Sequence, residues 1–292
     1  MNIRTLTIGA LAVAALIGGG VYAMSRGSSS GDSMGGMAGM SDGGTDASGG
    51  MPAMIPVGDV SGLRASADGY SIKLASARLS SAGRSRISFS IIGPDLKPVR
   101  DFQIDATKKM HLIIVRRDLS NYQHIHPRMA GDGTWSIDAR VAVPGRYRAF
   151  ADFATGGKRH VLGAELRAPG TATSVALPQP RTTTRVDGFD VTLHAGMLMS
   201  RQEAAMRFSV SQGGAPVTTL EPYLGNLGHL VILREKTLQY LHVHPTSSGG
   251  SGPEIRFAGE LARPGRYRAF LQFQVNGTVH TAAFTLETHG AM

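Results

Sequence analysis

Hydrophobic and polar residues alternate with a period of two in short segments of this chain. Residues 86–91 read RISFSI and residues 205–210 read AMRFSV, and every second side chain in both is apolar. This alternation predicts β-strands that bury one face. Residues 153–161 (FATGGKRHV) and 273–281 (FQVNGTVHT) place Gly-Gly or Asn-Gly where a tight hairpin turn needs positive φ. No stretch of the chain around these segments carries a convincing helical period, so the pattern predicts an all-β fold.

The same segments occur twice along the chain. MHLIIVRRDLSNYQHIHP (110–127) corresponds to GHLVILREKTLQYLHVHP (228–245), and PGRYRAFADF (144–153) corresponds to PGRYRAFLQF (264–273). The offset between corresponding segments stays at about 119 residues, which indicates two tandem domains. Domains of this size built from short strands are typical of β-sandwiches, so we predict two Ig-like or cupredoxin-like sandwiches. Their expected bounds are 56–168 (repeat 1) and 185–288 (repeat 2), joined by a hinge at 169–184 that is rich in Pro, Thr and Ala.

The N-terminal region differs from the repeats in composition. Residues 1–24 carry Arg4 and then an apolar run from Leu6 to Met24, which predicts a signal peptide or a membrane anchor. Either interpretation sends the rest of the chain out of the cytoplasm, as a secreted or membrane-anchored protein. Residues 25–55 are rich in Gly and Ser and predict a disordered, flexible linker.

Charge and cysteine content narrow the function classes. The formal net charge is +9, and a basic surface could contact the membrane or an acidic envelope polymer. There is no basic helix and no aromatic platform, so we expect no nucleic-acid partner. The chain has no cysteine, which excludes disulfides, thiolate metal sites and a cysteine nucleophile.

Eight of the ten histidines form two matching sets, one in each repeat. The sets are His111, His124, His126 and His160 in repeat 1, and His229, His242, His244 and His280 in repeat 2. Each repeat therefore keeps four imidazoles at equivalent positions while much of the surrounding sequence differs.

Strand geometry predicts that three histidines of each set share one face. Residues two apart on a strand point the same way, so His124 and His126 should point together. A turn at 118–121 would place Ile113 opposite His126 and His111 diagonal to His126 on that face, within reach of one ion. His160 and His280 begin the return strand of another hairpin, and they would complete a four-imidazole set if that strand were a neighbour.

Imidazoles without thiolates favour Cu(II) or Zn(II), so we predict one histidine site per repeat, for copper or alternatively zinc. The alternative is that these histidines are half-buried polar groups, hydrogen-bonded at strand ends. In the linker, Met34, Met37 and Met40 are spaced three apart, and thioether sulfur is a soft ligand that favours Cu(I). These methionines are candidate ligands as well.

The whole assembly resembles exported bacterial copper-handling proteins, which combine a leader, a Met/Gly-rich tether and small β-sandwiches with histidines. The resemblance implies copper binding, transfer or tolerance, with another copper-handling protein or the membrane surface as a partner.

Two functions therefore remain open from the sequence. The first is metal binding outside the cytoplasm, in metal handling or tolerance. The second is a non-metal interaction module for the envelope or another protein, made of two basic β-sandwiches. A metalloenzyme ranks last, because no general acid or base recurs at matching positions in both repeats.

Overall fold

The computed structural model describes residues 61–80, 83–243, 245–246 and 250–290. The predicted leader (1–24) and linker (25–55) lie outside these residues. Repeat 1 contains nine strands: β1 (Ser66–Ala67), β2 (Tyr70–Leu74), β3 (Gly83–Ile92), β4 (His111–Arg116), β5 (Gln123–Ile125), β6 (Arg128–Met129), β7 (Thr134–Val141), β8 (Gly145–Thr155) and β9 (Lys158–Ala168). They form one sheet in the order β1-β2-β3-β7-β6 and a second in the order β5-β4-β8-β9.

Repeat 2 has the same plan with small additions. Its strands are β10 (Thr183–Val186), β11 (Phe189–His194), β12 (Leu198–Met199), β13 (Glu203–Gln212), β14 (Ala215–Pro216), β15 (Gly228–Arg234), β16 (Tyr240–Val243), β17 (Glu254–Glu260), β18 (Gly265–Val275) and β19 (Thr278–His289). One sheet runs β10-β11-β13-β14 with β17 also paired to β13, and the other runs β12-β19-β18-β15-β16. The prediction of an all-β chain with two tandem β-sandwiches is confirmed.

The hairpins that the sequence predicted join the longest strands of each repeat. Gly156 and Gly157 connect β8 to β9 with φ of 59° and 76°, and Asn276 and Gly277 connect β18 to β19 with φ of 50° and 72°. Positive φ at both central residues matches the twist of the flanking strands. The turn chemistry therefore fixes these hairpins in both copies.

Each repeat has its own hydrophobic core between its two sheets. Alternate residues of β4 point to opposite faces of its sheet. On one face, Leu112 and Ile114 belong to the core of repeat 1. The same corner closes each core in the PGRY segment: the Tyr147 hydroxyl donates to Val143 O at 2.6 Å, and the equivalent Tyr267 hydroxyl donates to Arg263 O at 2.6 Å. These tyrosines pack at equivalent sandwich corners in the two repeats.

A third hydrophobic cluster joins the two repeats. Ile113 and Val115, on the opposite face of β4, pack with Val231 and Leu233 of β15. The second sheets of the two repeats therefore meet face to face, and β4 is buried along its whole length.

This inter-repeat interface is nearly two-fold symmetric. The Tyr122 ring of repeat 1 stacks on Phe270 of repeat 2, with centroids 3.9 Å apart and planes 7° apart. In the reciprocal contact, Phe150 of repeat 1 stacks on Tyr240 of repeat 2 at 5.1 Å and 23°. Tyr122 and Tyr240 occupy equivalent sequence positions, as do Phe150 and Phe270, so the interface resembles that of an isologous dimer within one chain.

Within the described part of the chain, no element is a helix that could span a bilayer.

Candidate metal centre

His111 and His124 lie side by side on neighbouring strands that face repeat 2. His111 is the first residue of β4, and His124 is the central residue of β5, paired with Ile113. The predicted register, which put His126 opposite Ile113, is wrong by two residues. The turn is centred one residue earlier than expected, between residues 118 and 119: Arg116 N–H donates to Ser120 O, and Leu119 and Asn121 both have positive φ. A shift of two residues keeps every side chain on its original face, so His111 and His124 still share one.

His229, the equivalent of His111, approaches the same point from repeat 2. It lies in β15 on the face of Val231 and Leu233, which packs against repeat 1. Its ring stacks on that of His111 at 5.6 Å and 18°, and its centroid lies 4.6 Å from that of His124. One ligand nitrogen from each of His111, His124 and His229 lies within 4.8 Å of the other two, and all three residues are buried. We call these three residues the inter-repeat histidine cluster.

The closest pair in the inter-repeat histidine cluster is His111 Nδ1 and His124 Nε2, which are 3.0 Å apart. The other nitrogen of each ring meets a carbonyl oxygen. His111 Nε2 lies 3.0 Å from Asp105 O, and His124 Nδ1 lies 2.7 Å from the amide oxygen of Gln272. The Gln272 amide nitrogen in turn donates to the Thr281 hydroxyl at 3.4 Å, which is consistent with that orientation of the amide.

Carbonyl oxygens accept hydrogen bonds and cannot donate them. The outer nitrogens, His111 Nε2 and His124 Nδ1, must therefore carry the ring protons. In neutral rings this leaves two lone pairs, on His111 Nδ1 and His124 Nε2, pointing at each other. Such an arrangement is favourable when a cation lies between the two nitrogens, as in metal-ligating histidines whose second N–H is held by a carbonyl.

Burial keeps these imidazoles neutral. Burial, with a smaller contribution from His111, lowers the pKa of His124 to about 3. Burial also lowers the pKa of His111, against an opposing effect of the Asp152 carboxylate. Near neutral pH the rings are therefore in the unprotonated form, which is the form that binds metals.

His126 borders the inter-repeat histidine cluster from the end of β5. Its ring centroid lies 4.7 Å from that of His124 and 5.1 Å from that of His111. Its Nε2 is buried without a hydrogen-bond partner among the described residues. Burial, followed by the neighbouring His124 and His111, lowers its pKa to about 2. His126 therefore offers a further neutral nitrogen next to the three clustered ones.

A buried carboxylate lies behind His111. Asp152 of β8 is directly opposite His111 in the strand register and is fully buried. Arg159 donates to both of its oxygens, at 2.8 and 2.9 Å, and the Tyr240 hydroxyl of repeat 2 donates to it at 2.9 Å. The equivalent position in repeat 2 is Gln272. Repeat 1 thus places the charged Asp152 beside the inter-repeat histidine cluster, and repeat 2 places the neutral Gln272 there.

The structure does not bring His160 or His280 to the inter-repeat histidine cluster. β9 lies at the far edge of its sheet, separated from β5 by β4 and β8, so the condition for a four-imidazole set is not met. His160 pairs with Phe153 in the strand register, stacks on the Phe153 ring and packs at a tilt against Tyr70 inside repeat 1. Its Nδ1 lies 3.7 Å from Asp68 in the turn between β1 and β2.

His280 repeats that arrangement in repeat 2. It pairs with Phe273, its ring packs at a tilt against Phe189, and its Nδ1 lies 2.9 Å from Asp187 in the turn between β10 and β11. For His280, the alternative of a hydrogen-bonded polar group near a strand end describes the geometry better than a metal ligand does. His160 lies away from the inter-repeat histidine cluster as well, but its contact with Asp68 is longer than a hydrogen bond, and both of its ring nitrogens are buried without a hydrogen-bond partner among the described residues.

The remaining candidate ligands fall where the structure describes little or nothing. The backbone of His242 pairs with Val231, and nothing is described of its side chain. His244 and the methionines Met34, Met37 and Met40 lie outside the described residues.

The sequence predicted a separate centre in each repeat, whereas three of the described histidines form one cluster to which both repeats contribute. It also missed Asp105 and Gln272, whose oxygens orient the rings. Gln272 and Asp152 had one visible signal: each interrupts an apolar strand at the same place, in FLQF and FADF.

Fold and site together define a tandem β-sandwich protein with a histidine cluster at the interface of its repeats. The chain belongs to the family described as "Domain of unknown function (DUF8832)", which it matches twice, over residues 65–170 and 184–290. No curated protein matches this sequence.

The solved structures that match this chain share little sequence with it. An Escherichia coli adhesin, FdeC, is 11% identical, with a TM-score of 0.25, and the match covers 77% of this chain and 65% of the adhesin chain. A mutant Salmonella alpha-2-macroglobulin is 11% identical, with a TM-score of 0.26, over 82% of this chain and 16% of its own. The fibronectin(III)-like modules of Clostridium thermocellum CbhA are 10% identical, with a TM-score of 0.21, over 75% of this chain and 93% of their own. The first two structures extend well beyond the part that this chain matches.

Proposed function

We propose that this chain is a metal-binding protein outside the cytoplasm that holds one metal ion between its two repeats. The ion is copper, with zinc as the alternative, and the role is metal handling or tolerance. His111, His124 and His229 are the proposed ligands, and His126 is the nearest further nitrogen.

One observation carries this proposal: the outer nitrogens of His111 and His124 both face carbonyl oxygens, and their inner nitrogens lie 3.0 Å apart. With the ring protons assigned to the outer nitrogens, the inner nitrogens present two lone pairs to each other. Metal–imidazole bonds of 2.0–2.1 Å place two ligands of a tetrahedral ion roughly 3.3 Å apart, and two neighbouring ligands of a square-planar ion roughly 2.9 Å apart. The observed separation lies between these values, so little movement of either ring is needed.

His229 supplies the third ligand from the other repeat. Its ligand atom lies within 4.8 Å of the other two, so it would move by at most roughly 1.5 Å to reach the ligand–ligand separation of a tetrahedral ion. An approach of this size is within the range of side-chain rotation. The ion would then connect β4 and β5 of repeat 1 with β15 of repeat 2.

Zinc binding by the full chain tests the proposal most directly. Zn(II) is a suitable probe because it prefers nitrogen and thiolate ligands, so the thioethers of the linker should contribute little. The metal-free protein is dialysed against Zn(II), and the bound zinc is measured per chain. We expect about one equivalent, lost in His111→Ala, His124→Ala and His229→Ala. A parallel titration with Cu(II) should show nitrogen hyperfine structure in its electron paramagnetic resonance spectrum.

His160→Ala and His280→Ala are the matched controls, because these histidines are also buried but lie away from the inter-repeat histidine cluster. They should retain the bound zinc. Zinc retained after all three cluster substitutions, or none bound by the wild type, contradicts the proposal. A chain that binds no metal but sediments with envelope polymer at low salt favours the interaction module instead.

The extracytoplasmic location is supported by the sequence of residues 1–24, and copper as the cargo by the methionines of the linker. Whether the leader is cleaved or retained as an anchor decides between a secreted and a tethered protein. Mass measurement of the chain purified from its native envelope distinguishes the two outcomes.

A further inference from the structure

We infer that repeat 2 carries an anion-binding groove, separate from the inter-repeat histidine cluster, which uses Arg268 to hold a small oxyanion such as a phosphate monoester. The two copies of the domain provide the comparison on which this inference depends. They place an arginine at the same position but surround it differently.

In repeat 1, the arginine at this position is fully partnered within the chain. Arg148 of β8 pairs in register with Glu165 of β9 and donates to its carboxylate at 2.6 Å. Its other two donors reach the carbonyl oxygen of Gly62 at 2.8 and 3.2 Å. The buried guanidinium therefore has a counter-charge and hydrogen-bond acceptors on every side.

In repeat 2, the counter-charge is missing. Arg268 of β18 occupies the place of Arg148, and its register partner on β19 is Thr285, where repeat 1 has Glu165. Arg268 makes one hydrogen bond, from Nη1 to the Thr285 hydroxyl at 3.0 Å, and has no carboxylate partner among the described residues. Burial lowers the pKa of Arg268, and no neighbouring charge offsets that effect. A half-buried cation without an anion is costly, unless a ligand supplies the anion.

A groove of about 670 Å³ opens at this arginine. Two further arginines, Arg181 and Arg185, and the hydroxyl-bearing Thr183 and Thr184 line the groove together with Arg268. Its volume is within the range of small-molecule sites.

The hinge forms one wall of this groove. The Arg266 side chain donates to the carbonyl of Leu177 at 2.8 Å and also to that of Pro178, which holds the hinge against β18. The groove is therefore a built feature of the fold.

The charges in the groove select the class of ligand. Three guanidinium groups stand against one carboxylate, that of Asp190, which lies 3.6 Å from Arg185 Nε. The excess of two positive charges favours a dianion, and arginine forks with nearby hydroxyls match the oxygens of a phosphate group. A phosphate monoester satisfies both the charge and the size of the groove.

Isothermal titration of the metal-free full chain with inorganic phosphate tests this inference, with the ionic strength held constant by sodium chloride. A chelator removes metal, so phosphate cannot act through the inter-repeat histidine cluster. Arg268→Gln should weaken phosphate binding at least about tenfold, and Arg181→Gln and Arg185→Gln should weaken it less, because these arginines are more exposed.

The decisive variant is Thr285→Glu, which installs the carboxylate that repeat 1 carries at this position. It should raise the melting temperature without phosphate and abolish phosphate binding, whereas the uncharged control Thr285→Gln should still bind phosphate. Equal phosphate affinity in the wild type, Arg268→Gln and Thr285→Glu, or no binding by the wild type, overturns the inference.

The phosphate group could belong to a soluble metabolite or to a lipid headgroup, and a second arm separates these sources. Binding of methyl phosphate without sedimentation on phosphatidate vesicles indicates a soluble ligand. Arg268-dependent sedimentation on such vesicles, in excess of that on phosphatidylcholine alone, indicates a headgroup. Both results support the same phosphate chemistry.

Discussion

Acid should destabilise the metal-free protein through His124, and the size of the effect follows from its burial. His124 is 8% exposed, and burial lowers its pKa from 6.5 to about 3 in the folded chain. Because the folded pKa is depressed, the unfolded chain binds a proton at a higher pH than the folded chain does. The stability is therefore complete above pH 6.5 and is lost progressively as the pH falls towards 3.

The magnitude can be worked out for one site. Between pH 7 and pH 5, a histidine with these two pKa values costs about 2 kcal/mol, and near pH 3 the cost approaches about 4–5 kcal/mol. His111 adds to this loss in the same direction, since burial lowers its pKa as well. Domains are commonly stable by only about 5–15 kcal/mol, so the loss is a large fraction of the total.

Urea unfolding at pH 7 and pH 5, with a chelator present, measures this loss. Trp135 is the single tryptophan and is buried in the core of repeat 1, so its fluorescence reports on the repeat that contains His124. His124→Gln should reduce the loss by about 2 kcal/mol, and the exposed control His194→Asn should not. The reasoning fails if His124→Gln and the wild type lose the same stability between the two pH values.

Two further predictions concern the shell around the inter-repeat histidine cluster. Gln272→Ala removes the acceptor of His124 Nδ1, so zinc affinity measured by chelator competition should fall about 10–100-fold, and unchanged affinity would contradict the orienting role. Phe270→Ala removes the ring that stacks on Tyr122 across the interface, so it should lower the free energy of unfolding by about 3–5 kcal/mol in urea titrations and weaken zinc binding. A loss of stability without any loss of zinc affinity would show that the interface does not position the ligands.

Much of the fold could be predicted from local sequence signals. Alternating apolar residues and the Gly156–Gly157 and Asn276–Gly277 turns act within a few residues, so they identify strands and hairpins without tertiary information. The shared face of His111 and His124 was also accessible, because it depends on the two-residue period of a strand and survives a register shift of two.

The docking of the two repeats could not be derived in the same way. It depends on which outer faces are complementary, and that property involves residues far apart in the chain. One signal did exist: HLIIV at 111–115 and HLVIL at 229–233 are apolar at consecutive positions, which is typical of a strand covered on both faces. The role of His160 as a ligand could not be predicted for a related reason, since its distance from the other histidines depends on the order of strands in the sheet.

The difference between Asp152 in repeat 1 and Gln272 at the equivalent position of repeat 2 has a consequence for how the two repeats can assemble. Two separate identical subunits meeting in this way would bring two buried carboxylates to the same junction, where their mutual repulsion and lost hydration would oppose assembly. Joining both halves in one polypeptide removes the requirement that they be identical. Repeat 1 can then keep the Asp152 carboxylate, which Arg159 neutralises, while repeat 2 has the uncharged Gln272 amide at the equivalent position. The surroundings of the inter-repeat histidine cluster are therefore asymmetric, which two identical subunits related by a two-fold axis could not achieve.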